Sequence, residues 1–173
     1  MNMQFPGNYK QRGFLSIDGL FWLMLIVVAL GFIIWMSSRM LGSSDVAIEQ
    51  SNISTLIANT KKLKGSTGYG TAGQNLVPSL IAIEGAGSMG ISGTTLVNQW
   101  NGSVTVVSNG MTFTITESGV PKSACITLAT KVAKDRQTTT SINGGSATTG
   151  EVHATTATTS CSNDANSITW TTY

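Results

Sequence analysis

Between Asp18 and Arg39 about 20 consecutive residues carry no charge. They run Gly19-Leu20-Phe21-Trp22-Leu23-Met24-Leu25-Ile26-Val27-Val28-Ala29-Leu30-Gly31-Phe32-Ile33-Ile34-Trp35-Met36 and close on two serines. A helix of that length crosses the hydrocarbon of a bilayer once. A helix apolar on every side must be buried somewhere, in lipid or in protein. A secretory signal has a shorter apolar core and a small-residue cleavage site behind it. Here Met36-Ser37-Ser38-Arg39-Met40 follows instead. The segment is therefore expected to stay in the mature protein.

Asp18 stands at the edge of this run. A charged side chain at mid-membrane is unfavourable by roughly 2.5–3.5 kcal/mol on insertion scales, and by less near the interface. In the plainest reading Asp18 flanks the helix start at the interface, where an acid suits the positive end of the helix dipole.

The local pattern allows a sharper reading. Lys10-Gln11-Arg12-Gly13 precedes Phe14-Leu15-Ser16-Ile17-Asp18. This resembles the N-terminus of type IV prepilins. The resemblance implies a leader over residues 1–13, cut after Gly13 by a membrane peptidase that also methylates the new N-terminus at Phe14. The acid at the fifth mature position would be Asp18, one methylene shorter than the family's usual Glu. Leu15 replaces the commoner Thr. Gly19 weakens helix propensity by about 1 kcal/mol relative to Ala. In the family that carboxylate pairs with the N-terminal amine of a neighbouring subunit. Each charge is costly alone in an apolar filament core, and pairing neutralises both.

At 173 residues the chain holds one such helix and one modest domain. Only 10% of residues are charged and the net charge is +2. The basic residues are scattered without an aromatic platform, so no nucleic-acid partner is expected. Lys61, Lys62 and Lys64 form the one tight basic cluster, placed where cations favour a helix C-terminus. Cys125 and Cys161 both follow the apolar run. With the lone His153 they fall short of a four-ligand zinc site, so no metal is expected. An extracytoplasmic disulfide closing about 35 residues is the better reading. Lys10 and Arg12 mark the cytoplasmic side, though Arg39 weakens that bias.

Residues 14–64 read as one long helix, with a soft spot at Met40-Leu41-Gly42-Ser43-Ser44. Its apolar part covers 14–40 and its amphipathic part 43–64. In the latter Val46, Ile53, Leu56 and Leu63 form a stripe, broadened by Ala47 and Ile57. Glu49, Gln50, Asn52, Asn59 and Lys62 are expected on the opposite side. Gly65 stops the helix.

Residues 65–173 form the expected head. From Ser66 to Gln99 the sequence predicts one short helix, Val77 to Ile83. Gly85-Ala86-Gly87-Ser88-Met89-Gly90 matches a dinucleotide-binding string but lacks its strand-and-helix setting, so it reads as a flexible surface loop. Trp100-Asn101-Gly102 is a turn. Residues 103–107 and 111–116 alternate as strands joined through Asn109-Gly110, with Val104, Val106, Met111, Phe113 and Ile115 facing the core. Gly119 and Pro121 are expected to end the sheet, and a helix opens at Pro121 or Ser123 and runs to Lys134. Residues 137–160 are so rich in Thr, Ser and Gly that they should bury little. Ser167-Ile168-Thr169-Trp170-Thr171-Thr172-Tyr173 alternates again, as a strand docking in the sheet.

The predicted class is thus α+β: a long helical spine, an antiparallel sheet and a disulfide-closed C-terminal region. It resembles type IVb pilins, in particular pilins of conjugative thin pili and enteric pili. Trp100-Asn101-Gly102 and Val120-Pro121-Lys122-Ser123-Ala124-Cys125 carry that likeness in the head. The resemblance implies a major pilus subunit, first held in the inner membrane and then polymerised into a surface filament for adhesion or conjugation. Its partners would be copies of itself, the prepilin peptidase, the pilus assembly machinery and a host or recipient-cell receptor. A minor pilin, a tip adhesin, a secretion-system pseudopilin and an uncleaved single-pass anchored domain are the alternatives. No catalytic residues or cofactor are expected. His153 lies in a Thr-rich stretch without a nucleophile elbow, and Asp135, Glu151 and Asp164 are scattered.

Overall fold

The computed structural model describes residues 17–173; within the first helix, side chains are described at 19–32 and from residue 44 onward. The expected leader and residues 14–16 lie outside the described residues. The chain divides into two compact units, Met1–Gly42 and Ser43–Tyr173.

Helix α1 (Ile17–Lys62) is continuous, so the interruption expected near Gly42 is absent. Glycine and serine each lower helix propensity by at most about 1 kcal/mol, and each added residue of a formed helix gains a hydrogen bond. Without a proline, a few weak residues do not break a long helix. Among the described residues no helix is long and apolar enough to cross a membrane. The span expected over 14–40 is therefore not carried by them.

The second part of α1 buries one stripe. Ile53 and Leu56 are fully buried in the head core, and Val46 and Leu63 pack against it. Glu49 and Asn52, expected on the solvent side, are buried as well. The order Val46, Glu49, Ile53, Leu56, Thr60, Leu63 steps by three and four, which keeps one helix face toward the core. Glu49 and Thr60 complete that spacing, so geometry buries them despite their polarity. Thr60 meets its need locally, donating to Leu56 O at 2.7 Å.

The head carries helix α2 (Val77–Ala82), as expected, and an antiparallel sheet. Its strands are β1 (Gly90–Ser92), β2 (Thr95–Val97), β3 (Ser103–Ser108), β4 (Phe113–Val120), β5 (Thr139–Ile142), β6 (Thr148–Thr149) and β7 (Asn166–Thr172). Their spatial order is β1-β2-β3-β4-β7-β5-β6. The short β1 and β2 were not expected. They follow the glycine string, where Ala86 and Met89 are buried, so that string is a packed turn rather than a loose loop.

The β3–β4 hairpin forms as read, with Ser108 opposite Phe113 and Val106 opposite Ile115. Val104, Val106, Phe113 and Ile115 are fully buried. Met111 is 55% exposed instead. It sits in the connecting turn, before strand alternation begins. Gly119 does not end the sheet: at φ 69° it lies in a bulge between Glu117 and Val120, and β4 continues past it. Helix α3 (Lys122–Lys131) follows with Pro121 as its cap, and stops short of Lys134.

Strand β7 lies between β4 and β5, with Trp170 opposite Ile115 on one side and Thr140 on the other. Ile168 and Trp170 are fully buried. On the other face Thr171 meets Thr114 at 2.9 Å and Thr169 meets Thr116 at 3.2 Å.

The Thr-rich segment is better packed than its composition suggests. Thr138, Thr140, Ile142, Val152 and Ala157 are all buried, and helix α4 (Ala154–Ser160) closes the segment. Pairing to β7 supplies the backbone partners. Asn143 and Asn166 supply the corner. Asn143 Nδ2 donates to Ser160 O and to Asn166 Oδ1, while Asn166 Nδ2 donates to Val120 O and Asn163 O. Removing the Asn166 amide leaves these partners unmet, and a buried unmet group costs about 1–3 kcal/mol. Asn166→Ala should lower head stability by that amount in urea denaturation. An unchanged midpoint would show that the corner contributes nothing.

Candidate assembly surface and the elements that position it

Over residues 19–32, α1 is apolar all round. From Leu20 to Leu30 every residue is exposed, including Phe21 at 63% and Trp22 at 67%. No stripe of this segment is turned inward. Burial of a large apolar side chain is worth roughly 1.5–3 kcal/mol. A surface of this kind is what helix-on-helix assembly or lipid would cover.

Gly13 and Phe14, the expected cleavage pair, lie outside the described residues, as does the leader. Asp18 is the second residue of α1, and its side chain also lies outside them.

Cys125 and Cys161 are bonded, with Cα atoms 6.0 Å apart. Cys125 sits on the buried face of α3 beside Ala124, Leu128 and Ala129. Cys161 ends α4, its N–H bonded to Ala157 O. The bond therefore staples two helices and fixes the entry to β7. His153 caps α4 on an exposed stretch, and Asp135, Glu151 and Asp164 are exposed too, so the structure does not bring these groups together.

A polar cluster that the sequence reading missed joins α1 to the sheet. Glu49 on α1 and Glu117 on β4 are both fully buried. The β2–β3 loop serves both: Gln99 N–H donates to Glu49 Oε2 at 3.2 Å, and Asn98 Nδ2 to Glu117 Oε1 at 2.9 Å. Asn98 Oδ1 meanwhile accepts from the N–H groups of Trp100 and Gly102, which shapes the loop. A Cβ at Gly102 would collide with the Ser118 carbonyl oxygen, so only glycine allows this approach to β4.

Burial raises the Glu49 pKa, and the Gln99 N–H and the Asn52 side chain hold it back in part. Asn52 Nδ2 makes no hydrogen bond of normal geometry, yet stands near enough to favour the Glu49 anion. Glu117 is pushed up to about 8, by burial first and then by the charge on Glu49, with Asn98 opposing. Both acids were legible in principle. Glu49 fills a step of the helix stripe, and Glu117 continues the inward series Phe113, Ile115. Ending the predicted strand at Thr116 hid the second.

The disulfide closes a separation of 36 residues. Loop-entropy arithmetic values such a closure at roughly 3–4 kcal/mol. Cys161→Ser should lower the stability of the head by about that much, and reduction of the wild-type protein should reproduce the loss. Equal urea midpoints for oxidised, reduced and substituted protein would show that the bond does not stabilise the fold.

A protein-family model described as PilS N terminal matches residues 43–173. The match covers the whole second unit: the amphipathic part of α1, the sheet and the disulfide-closed region. No curated protein matches the chain. With most of its length matched, and with an α+β head of this form, the chain belongs to the PilS N-terminal family of pilus-related proteins.

Proposed function

We propose that the chain is the major structural subunit of a type IV pilus. The observation that carries the reading is the segment Leu20–Leu30, exposed and apolar on every side, in a chain whose head belongs to a pilus-related family. Before assembly the uncharged run after Asp18 holds the subunit in the inner membrane. Cleavage follows Gly13, and Phe14 becomes the methylated N-terminus. On extraction, apolar helices exchange lipid for one another.

A contact that joins different surfaces of successive copies does not close, so it propagates as a helical filament. Apolar burial supplies most of the affinity. Asp18 sets register by meeting the Phe14 amine of a neighbour. Removing one partner of a buried pair leaves the other charge unmet, at about 3–5 kcal/mol. The heads line the outside, where a surface of low charge suits contact with a host or recipient cell. The role is structural rather than catalytic, and the fibre serves adhesion or conjugation.

Intact mass and N-terminal sequencing of cell envelopes and sheared surface material test the reading. The expected chain starts at N-methylated Phe14, carries the disulfide and is abundant in the sheared fraction. A chain that keeps Met1 and stays in membranes would refute it; a cleaved chain at low copy number would point to a minor pilin or pseudopilin. Asp18→Ala should leave cleavage intact and cut filament yield at least tenfold. Normal yield from that variant would remove Asp18 from assembly.

A further inference from the structure

Glu49 and Glu117 have no place in the assembly scheme, yet they occupy the seam between α1 and the sheet. Each carboxylate has one oxygen that accepts a hydrogen bond and one that accepts none. The unmet atoms are Glu49 Oε1 and Glu117 Oε2. The groups facing them are neutral: the Gln99 N–H and Asn98 amide from the β2–β3 loop, and the Asn52 amide from α1. The charged group acting on Glu117 is Glu49 itself. Two buried anions with this few donors, and with no ion pair among the described residues, are not a stable arrangement. One proton changes that. It removes one charge, and it turns one unmet acceptor into a donor.

We infer that Glu49 and Glu117 hold a single proton between α1 and the sheet, forming a latch that is closed in acid and loosened in alkali. The direction follows from linkage. Glu117 titrates near 8 in the fold, far above an ordinary carboxyl. The folded chain therefore keeps a proton that the unfolded chain releases. Stability is full below the ordinary carboxyl range near 4.5 and falls as pH rises, until the loss is complete above about 8. Asp135 contributes with the opposite sign and at lower pH, because the Thr138 hydroxyl first, and then Gln137 N–H and Lys61 among others, hold it below the ordinary range. Loss of the proton sets two like charges against each other across the seam, on one side the helix and on the other β4. The inference concerns the head alone and does not depend on polymerisation.

The test is urea unfolding of the full chain in detergent micelles, disulfide intact, followed by tryptophan fluorescence from pH 5 to 9. The folding constant of the wild type should fall about tenfold per pH unit over roughly pH 5–8, the slope of one proton. Glu117→Gln should remove most of that slope and exceed the wild type at pH 8, since the amide keeps an acceptor for Asn98 and never ionises. Glu49→Gln should keep a fall of the same sign but end it at lower pH, because burial alone still raises Glu117 once the Glu49 charge is gone, which keeps the test open should the first variant misfold. Infrared spectra of the wild type at pH 7 should contain a protonated-carboxyl stretch, lost in Glu117→Gln. A flat wild-type profile, parallel profiles for wild type and variants, or no protonated carboxyl at pH 7 would overturn the latch. So would a calcium-dependent gain in stability abolished by EDTA, which would put a cation, not a proton, between the two acids.

Discussion

A helix that is apolar on all sides at one end and on one stripe at the other needs two different surroundings. The second part of α1 finds its own within the chain: Ile53 and Leu56 are sealed in the head core. That seal is what the head is built around. It places Asn59 Nδ2 on Gly85 O, Asn52 Oδ1 on the Ser88 hydroxyl and Glu49 on Gln99 N–H, so the chain after α1 is pinned at three points along the helix. The first part finds no such seal among the described residues. The same helix thus serves as core to its own head and as a surface for something else.

The pinning contacts are polar, and this shapes the division of labour. Apolar burial holds α1 to the sheet without fixing its position along the axis, because dispersion and hydration are non-directional. Hydrogen bonds to Gly85, Ser88 and Gln99 fix that position. Glu49 is the most demanding of these groups, since it is a buried acid whose second oxygen accepts no hydrogen bond. The seam is accordingly both the most specific and the least tolerant part of the head.

Much of this was legible in the amino-acid sequence because it follows from simple periodicities. The apolar run, the 3–4 stripe of Val46 to Leu63, the Asn109-Gly110 hairpin and the alternating strand ending in Trp170 and Thr172 all translate into local geometry. The disulfide followed from compartment and ligand count. The errors share a cause. Residues 137–142 look structureless because threonine and serine carry little apolar signal, but threonine is also a good strand former, and here β7 supplies the partner. Glu49 and Asn52 were assigned by polarity when helical phase governs their burial. Met111 was assigned by strand phase in a turn. Non-local pairing, such as Asn143 with Asn166, leaves no mark in any short window of sequence. Gly13 and Phe14 remain readable only as motif.

The position of β7 also bears on the order in which the head can be built. Residues 113–120 emerge from the ribosome well before residues 166–172, yet the two segments are neighbours in the sheet. Until the later segment is made, β4 presents an open edge backed by Phe113 and Ile115, the kind of edge that invites pairing with other chains. Helix α3, the Thr-rich strands and the Cys161 corner must all be synthesised and held clear of that gap. A nascent head is therefore a sheet with an interior strand missing, and the interval before β7 arrives is when a chaperone would have most to protect.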